Sequence, residues 1–224
     1  MKKIILLILI LTPAIIYSQS KSEIIFKIID SVIVKKNCPY ATKINLEISV
    51  PDFQDTIFLY RFFKCIGSYA LSAHAQEVLN SYGAYPNFGF DYMTMEYVIE
   101  NEDYEVIDSD SVFFNILNKK IRTFRTRESI GTFVNSKQQI IRKKLNDRQR
   151  IKYNLAKYKI SKPKQNVALY LLLCEYHPNL PKGEYYLYIT YYFSPSWQSI
   201  LNVNDTKIFK HKVVSNRVKL IVEF

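Results

Sequence analysis

Gly183-Glu184-Tyr185-Tyr186-Leu187-Tyr188-Ile189-Thr190-Tyr191-Tyr192-Phe193 reads as a β-strand. Aromatic and β-branched side chains fill it, and these suit a pleated surface. The residues sort by alternation. Tyr185, Leu187, Ile189, Tyr191 and Phe193 fall on one face, Tyr186, Tyr188, Thr190 and Tyr192 on the other. The first set is predicted to face a core and the second to point outward. Upstream, Val167–Tyr176 (VALYLLLCEY) is a mostly apolar run, as a central strand should be. Downstream, Ile208–Val214 and Arg217–Phe224 are predicted to pair across Ser215-Asn216, with Val218, Leu220, Val222 and Phe224 alternating with Arg217, Lys219, Ile221 and Glu223.

The same rhythm runs through the N-terminal half. In Thr42–Val50, Ile44, Leu46 and Ile48 alternate with Lys43, Asn45 and Glu47. Pro51-Asp52 then turns the chain into Asp55–Phe63 (DTIFLYRFF), so these two runs are predicted to form a hairpin. Ser72–Tyr82 is the best helix candidate: Ser72 caps it, Leu71, Ala75, Leu79 and Tyr82 share a face, and Gly83 stops it. An aromatic loop follows to Tyr92, and Tyr92–Ile107 reads as a hairpin turning at Glu100-Asn101-Glu102-Asp103. From Lys137 to Ile160 no 3.6-residue period holds, and strands are predicted on either side of an Asn146-Asp147 turn. Short strands with few helices point to an all-β, mainly antiparallel sandwich or barrel.

Leu180-Pro181-Lys182-Gly183-Glu184-Tyr185, followed by Leu187 and Ile189, resembles the tyrosine corner of immunoglobulin-like and fibronectin-III-like sandwiches. There a turn ends in Gly-x-Tyr and the tyrosine hydroxyl bonds back to upstream backbone. The closing pattern of Ser215, Asn216, Val218, Leu220 and Val222 is similar to the last strand of many exported bacterial sandwich domains. The resemblance lies mainly in residues 180–224 and lacks the Cys…Trp…Cys arrangement of antibody domains, Trp197 being the only tryptophan. It implies an immunoglobulin-like Greek-key β-sandwich over residues 21–224, with one inserted short helix between about Phe62 and Phe90. Such folds host adhesion, scaffolding, carbohydrate binding and protease inhibition, so the resemblance implies architecture rather than activity.

Residues 1–20 (MKKIILLILILTPAIIYSQS) read as a signal peptide: Lys2 and Lys3, the apolar run Ile4–Leu11, a break at Pro13, and the small-x-small Ser18-Gln19-Ser20. The apolar stretch is shorter than the roughly 20 residues a membrane span needs. No further segment approaches that length, so the mature chain is expected to be exported to the periplasm or beyond without a transmembrane segment. Export also removes nucleic acid from the expected partners.

The formal charge is +11, and it is unevenly spread. Glu96 to Asp110 holds seven acidic residues and no basic one, whereas Lys119 to Lys164 holds sixteen Lys or Arg against Glu128 and Asp147. Arg142, Lys143, Lys144, Arg148 and Arg150 are candidate contacts for an anionic glycan, an envelope lipid or another envelope protein. The alternative is intramolecular attraction between the acidic and basic segments. Tyr186, Tyr188 and Tyr192 are candidates for a sugar- or partner-binding row of rings. The cysteines are Cys38, Cys65 and Cys174. If the Thr42–Val50 and Asp55–Phe63 runs pair, Cys38 and Cys65 meet at the open end of that hairpin, and they are predicted to bond while Cys174 stays reduced.

No G-x-S-x-G, H-E-x-x-H, phosphate loop or dinucleotide fingerprint is present, and the five glycines are too few for Gly-rich phosphate cradles. His74, His177 and His211 lie far apart and are predicted to be surface or turn residues. The acids near Asp108-Ser109-Asp110 lack EF-hand spacing and read as solvated hairpin acids. Asp30-Ser31-Val32, Asp55-Thr56-Ile57 and Asp110-Ser111-Val112 are similar to the short Asp-Ser/Thr-apolar acceptor of periplasmic O-glycosylation in some Gram-negative bacteria. The expectation is a non-enzymatic binding or structural protein of the cell envelope, with neither metal nor cofactor. Protease inhibition through the aromatic loop is the alternative from a different class.

Overall fold

In the computed structural model the described residues are 23–35, 41–68, 70, 72, 77, 95–109, 130–137, 139–146, 148–149, 157–193 and 207–223. The candidate signal peptide, most of the candidate helix, the aromatic loop, Trp197 and Cys38 lie outside them. Glu77, inside the candidate helix, is helical. Among the described residues no helix is long and apolar enough to cross a membrane.

The described residues are mostly strand, in two larger sheets and two small ones. The first large sheet has the order β1 (Ile25–Ile28), β3 (Thr42–Ser49), β10 (Lys164–Leu171), β5 (Cys65–Ile66). Its β1–β3 and β3–β10 pairs are antiparallel and β10–β5 is parallel. The second is built on β11 (Gly183–Tyr191). One edge of β11 carries β6 (Met95–Glu100); the other carries β12 (Val213–Val214) and β13 (Val218–Val222) in series. β2 (Val32–Lys35) runs parallel to β13. The chain therefore contributes β1 to one sheet and, after a short turn, β2 to the other.

The period-2 pattern explains why the sheets stack. Ile44, Leu46 and Ile48 of β3, Val167, Leu169 and Leu171 of β10, and Leu187, Ile189 and Tyr191 of β11 are all buried in one shared core. Phe26 of β1 meets Tyr191 edge-on across the sheets, with ring centroids 6.3 Å apart. Tyr191 also fastens β4 (Ile57–Tyr60). Its hydroxyl accepts from the Tyr60 amide (3.0 Å) and donates to the Tyr60 carbonyl (3.3 Å). Burying a phenol this deeply is tolerable because the backbone satisfies it, and burial pushes its pKa well up.

Three strand expectations are corrected. β3 does not pair with β4; its neighbours are β1 and β10, while β4 pairs with β9 (Lys157–Ile160) in a separate two-stranded sheet. The apolar run after Val167 leaves the sheet early, because β10 ends at Leu171 and a one-turn helix, α1 (Leu173–Tyr176), follows. The C-terminal runs do not pair across Ser215-Asn216 either. Both lie along β11, and the register shifts by one residue between Thr190↔Val214 and Leu187↔Val218, so Ser215-Asn216 is a β-bulge. The bulge aims Asn216 at β1 of the other sheet. There its side chain accepts from the Ile28 amide (2.7 Å) and donates to the Ile28 carbonyl (3.2 Å).

The cysteine expectation fails with the hairpin. Cys65 is a free thiol and Cys174 is disulfide-bonded. The Cys38–Cys65 pairing assumed that β3 and β4 share a register, which they do not. Cys174, half-buried on α1, is not inside an apolar strand.

Tyr185 makes the corner bond: its hydroxyl donates to the Pro181 carbonyl at 3.0 Å. The ring is half-buried against the core rather than enclosed. Tyr185→Phe removes this bond alone, and a loss of about 0.5–1.5 kcal/mol in denaturant unfolding is expected. An unchanged midpoint would mean that water replaces the bond without cost.

Candidate functional site

β7 (Ile130–Val134) and β8 (Ile140–Lys144) form a two-stranded antiparallel sheet of their own, beside β5. Asn135 builds the turn. Its side-chain oxygen accepts from the Lys137 and Gln139 amides, both at 2.9 Å, and its amide nitrogen donates to Gln139 Oε1. Lys137, Lys143 and Lys144 are exposed, and Ile141 is exposed among them. Arg142 sits in β8 opposite Thr132.

Beyond β8, Arg148 and Gln149 are helical, so no strand starts directly after the turn. Of the predicted second strand, Lys157–Ile160 is a strand and 150–156 lie outside the described residues. Asn146 and Gln149 cap this helical start reciprocally: the Gln149 amide donates to Asn146 Oδ1 (2.9 Å), and the Asn146 amide donates to Gln149 Oε1 (3.2 Å). Arg148 is exposed there; Arg150 lies outside the described residues.

Elsewhere some of the cations meet acids. Lys164 meets Glu47, Lys207 meets Asp55, Arg217 meets Glu100 and Lys219 meets Glu184. Among the described residues no acid pairs with Lys137, Lys143 or Lys144. The acidic segment spends its buried carboxylate, Glu100, on Arg217 rather than on the basic hairpin.

The tyrosine row faces outward, but most of it is covered. The turn after β6 uses the same device as the Asn135 turn: Asn101 Oδ1 accepts from the Asp103 and Glu105 amides. It folds Tyr104 onto Tyr186, with the rings stacked at 5.3 Å between centroids and 19° between planes. The Arg217 guanidinium lies 5.2 Å from the Tyr188 ring centre and 5.5 Å from that of Tyr104. Its Nε and Nη2 hold the Glu100 carboxylate at 2.7 and 3.2 Å. Burial first, then the charge of Glu100, pushes the Tyr188 phenol up to about 12. Of the three predicted row members only Tyr192 is exposed; Tyr186 and Tyr188 are half-buried.

The titratable groups that do converge are sealed inside. Lys35 and His177 are 1% and 2% exposed, and Lys35 Nζ donates to the His177 carbonyl at 2.8 Å. The His177 ring lies 5.8 Å from that of the fully buried Tyr97. Burial, then the charge of Lys35, lowers the His177 pKa to about 4, against an opposing hydrogen bond to the Asp108 main chain. Of the expected surface or turn position, the turn holds, since His177 adjoins the Pro178-Asn179 turn, and the surface does not, since the side chain is buried. It meets Lys35 and Tyr97 only through the tertiary fold, so no local spacing announced it. His211 is exposed, as expected.

Asp108 binds Ser72, accepting from its amide and its hydroxyl. Among the described residues no group of three His, Cys, Asp or Glu side chains is placed to hold a metal ion. Of the Asp-Ser/Thr-apolar triplets, Ser31 is exposed in the turn between β1 and β2, Thr56 is half-buried, and Ser111 lies outside the described residues. No protein-family model matches this chain, and no curated protein matches it.

Proposed function

We propose that this is an exported, non-enzymatic binding protein of the cell envelope, built on an immunoglobulin-like Greek-key sandwich, which holds acidic glycans or lipid head groups on the β7–β8 hairpin. One observation carries the binding reading. Lys137, Lys143 and Lys144 stand in solvent together on a hairpin separate from the large sheets, with no acidic partner among the described residues. Unmatched cations attract polyanions over about a Debye length. The intramolecular alternative needs the acidic segment to compensate this hairpin, and Glu100 is committed to Arg217 instead.

Three features support the architecture. The first strand is split between the sheets as β1 and β2, β2 runs parallel to the final strand β13, and a Gly-x-Tyr corner opens β11. The disulfide at Cys174 supports the export reading, since such bonds persist in oxidising compartments.

Salt-gradient elution from heparin resin tests the function. Each lysine near an anionic surface contributes about 1 kcal/mol. Charge reversal at both Lys143 and Lys144 is therefore expected to weaken binding at least roughly tenfold at low salt. The same reversal at exposed Lys27 and Lys43, on the first large sheet, is expected to change it far less. Equal effects would reduce the attraction to net charge alone and remove the hairpin as a site.

A further inference from the structure

We propose that Tyr104 is a stacking platform for a sugar of an uncharged glycan, a second site distinct from the basic hairpin. Tyr104 has φ = 62°, in the left-handed region that a turn of this length normally gives to Gly or Asn. An L-residue with a bulky side chain pays on the order of 1–2 kcal/mol there. Such a conformation persists only where the surroundings impose it. Here the Asn101 side chain sets the turn, Tyr186 stacks on the ring, and the Arg217 guanidinium, clamped by Glu100, lies over it as a cation–π contact, 5.5 Å from its centre. Despite these contacts Tyr104 keeps 58% of its surface in solvent, the largest exposure of any large apolar side chain described. The strain therefore holds a rigid ring toward water rather than filling a core.

An oriented ring offers its electron-rich face to the weakly positive C–H groups of a pyranose, and needs no ordering when the sugar arrives. The rim sets the class of sugar. Glu102, Asp103 and Glu105, the chain neighbours of Tyr104, are exposed, and the cations of this surface, Arg217 and Lys219, are paired with Glu100 and Glu184. That field repels uronic or sulfated sugars, while the carboxylates accept hydrogen bonds from sugar hydroxyls. The ligand is thus an uncharged polysaccharide segment, and the acidic polymers attracted to the hairpin are excluded here.

Calorimetric titration of the exported protein with cellohexaose, maltohexaose, xylohexaose and chitohexaose tests this. At least one is expected to bind, with affinity falling at least tenfold in Tyr104→Asn and persisting in Tyr104→Phe. Asparagine suits the left-handed position, so Tyr104→Asn is expected to keep the thermal midpoint and heparin retention of the parent. Those readouts separate loss of this site from unfolding and from failure of the hairpin. The proposal is overturned if none of the four binds, if Tyr104→Asn binds as the parent does, or if oligogalacturonate competes better at Tyr104 than the neutral sugars.

Discussion

Replacing Cys174 with serine is expected to lower stability by about 2–5 kcal/mol, the usual range for losing a native disulfide. For a chain of this size that is a fall of roughly 5–20 °C in Tm. Cys174 sits on α1, directly after β10, the strand that joins β3 to β5. The same turn buries Leu173 and Tyr176, and the Tyr176 ring lies so close to Gly67 that a Cβ there would fall 2.3 Å from it. A cross-link at Cys174 therefore holds a junction where β5, β10 and α1 meet. With Cys65 a free thiol, Cys38 is the one other cysteine in the chain, and non-reducing peptide mapping is expected to recover a Cys38–Cys174 peptide. Such a bond closes a loop of more than 100 residues, which puts the entropic stabilisation at the upper end of that range. Burial pushes the Cys65 thiol up to about 11, so it carries almost no thiolate at neutral pH and does not exchange into the bond. Recovery of three free thiols, or of any Cys65 cross-link, would refute this pairing. Cys65→Ser is expected to leave the disulfide intact.

What the sequence disclosed divides by range. Faces were legible, because alternation is a local property: Leu187, Ile189 and Tyr191 are buried as their spacing demands. The tyrosine corner was legible for the same reason, donor and acceptor being four residues apart. Partners were not. β3 carries an alternation that fits β4 as well as β10, and only three-dimensional packing chooses β10. Ser215-Asn216 has turn chemistry, yet Asn216 spends it on Ile28 of the opposite sheet, so the same residues make a bulge. The outward row on β11 was read correctly as a face, but its cover comes from Tyr104 and Arg217, neither of which lies next to it in the chain. The basic segment announced its charge and concealed its shape, because a helical start at Asn146 needs only a cap and no apolar period.

Acidification from pH 6.5 to pH 4 is expected to remove about 3 kcal/mol of stability through His177 alone. The ring sits against Lys35, Tyr97 and the Asp108 main chain, and its pKa falls from 6.5 to about 4 on folding. Between those values the unfolded chain binds a proton that the folded chain refuses. Stability therefore rises with pH across the window, is fully present above pH 6.5, and is lost as pH falls through about 4. A shift of this size corresponds to about 1.4 kcal/mol per pH unit. The cause is geometric: a second positive charge would be enclosed beside the Lys35 ammonium, and among the described residues buried His177 Nε2 and Tyr97 Oη have no hydrogen-bond partner to stabilise it. Carboxylates such as Asp55, whose pKa is lowered chiefly by its hydrogen bond to Lys207, also lose interactions at the acid end, so the His177 share is read by difference. Urea unfolding at half-unit steps from pH 7 to 4.5 should give a steep slope in the parent and a nearly flat one down to about pH 5 in His177→Asn. Parallel slopes in the two proteins would place the acid sensitivity elsewhere. Lys35→Met provides the complementary measurement. Removing the neighbouring cation raises the His177 pKa back toward 6.5, so the slope should shrink although His177 itself is retained.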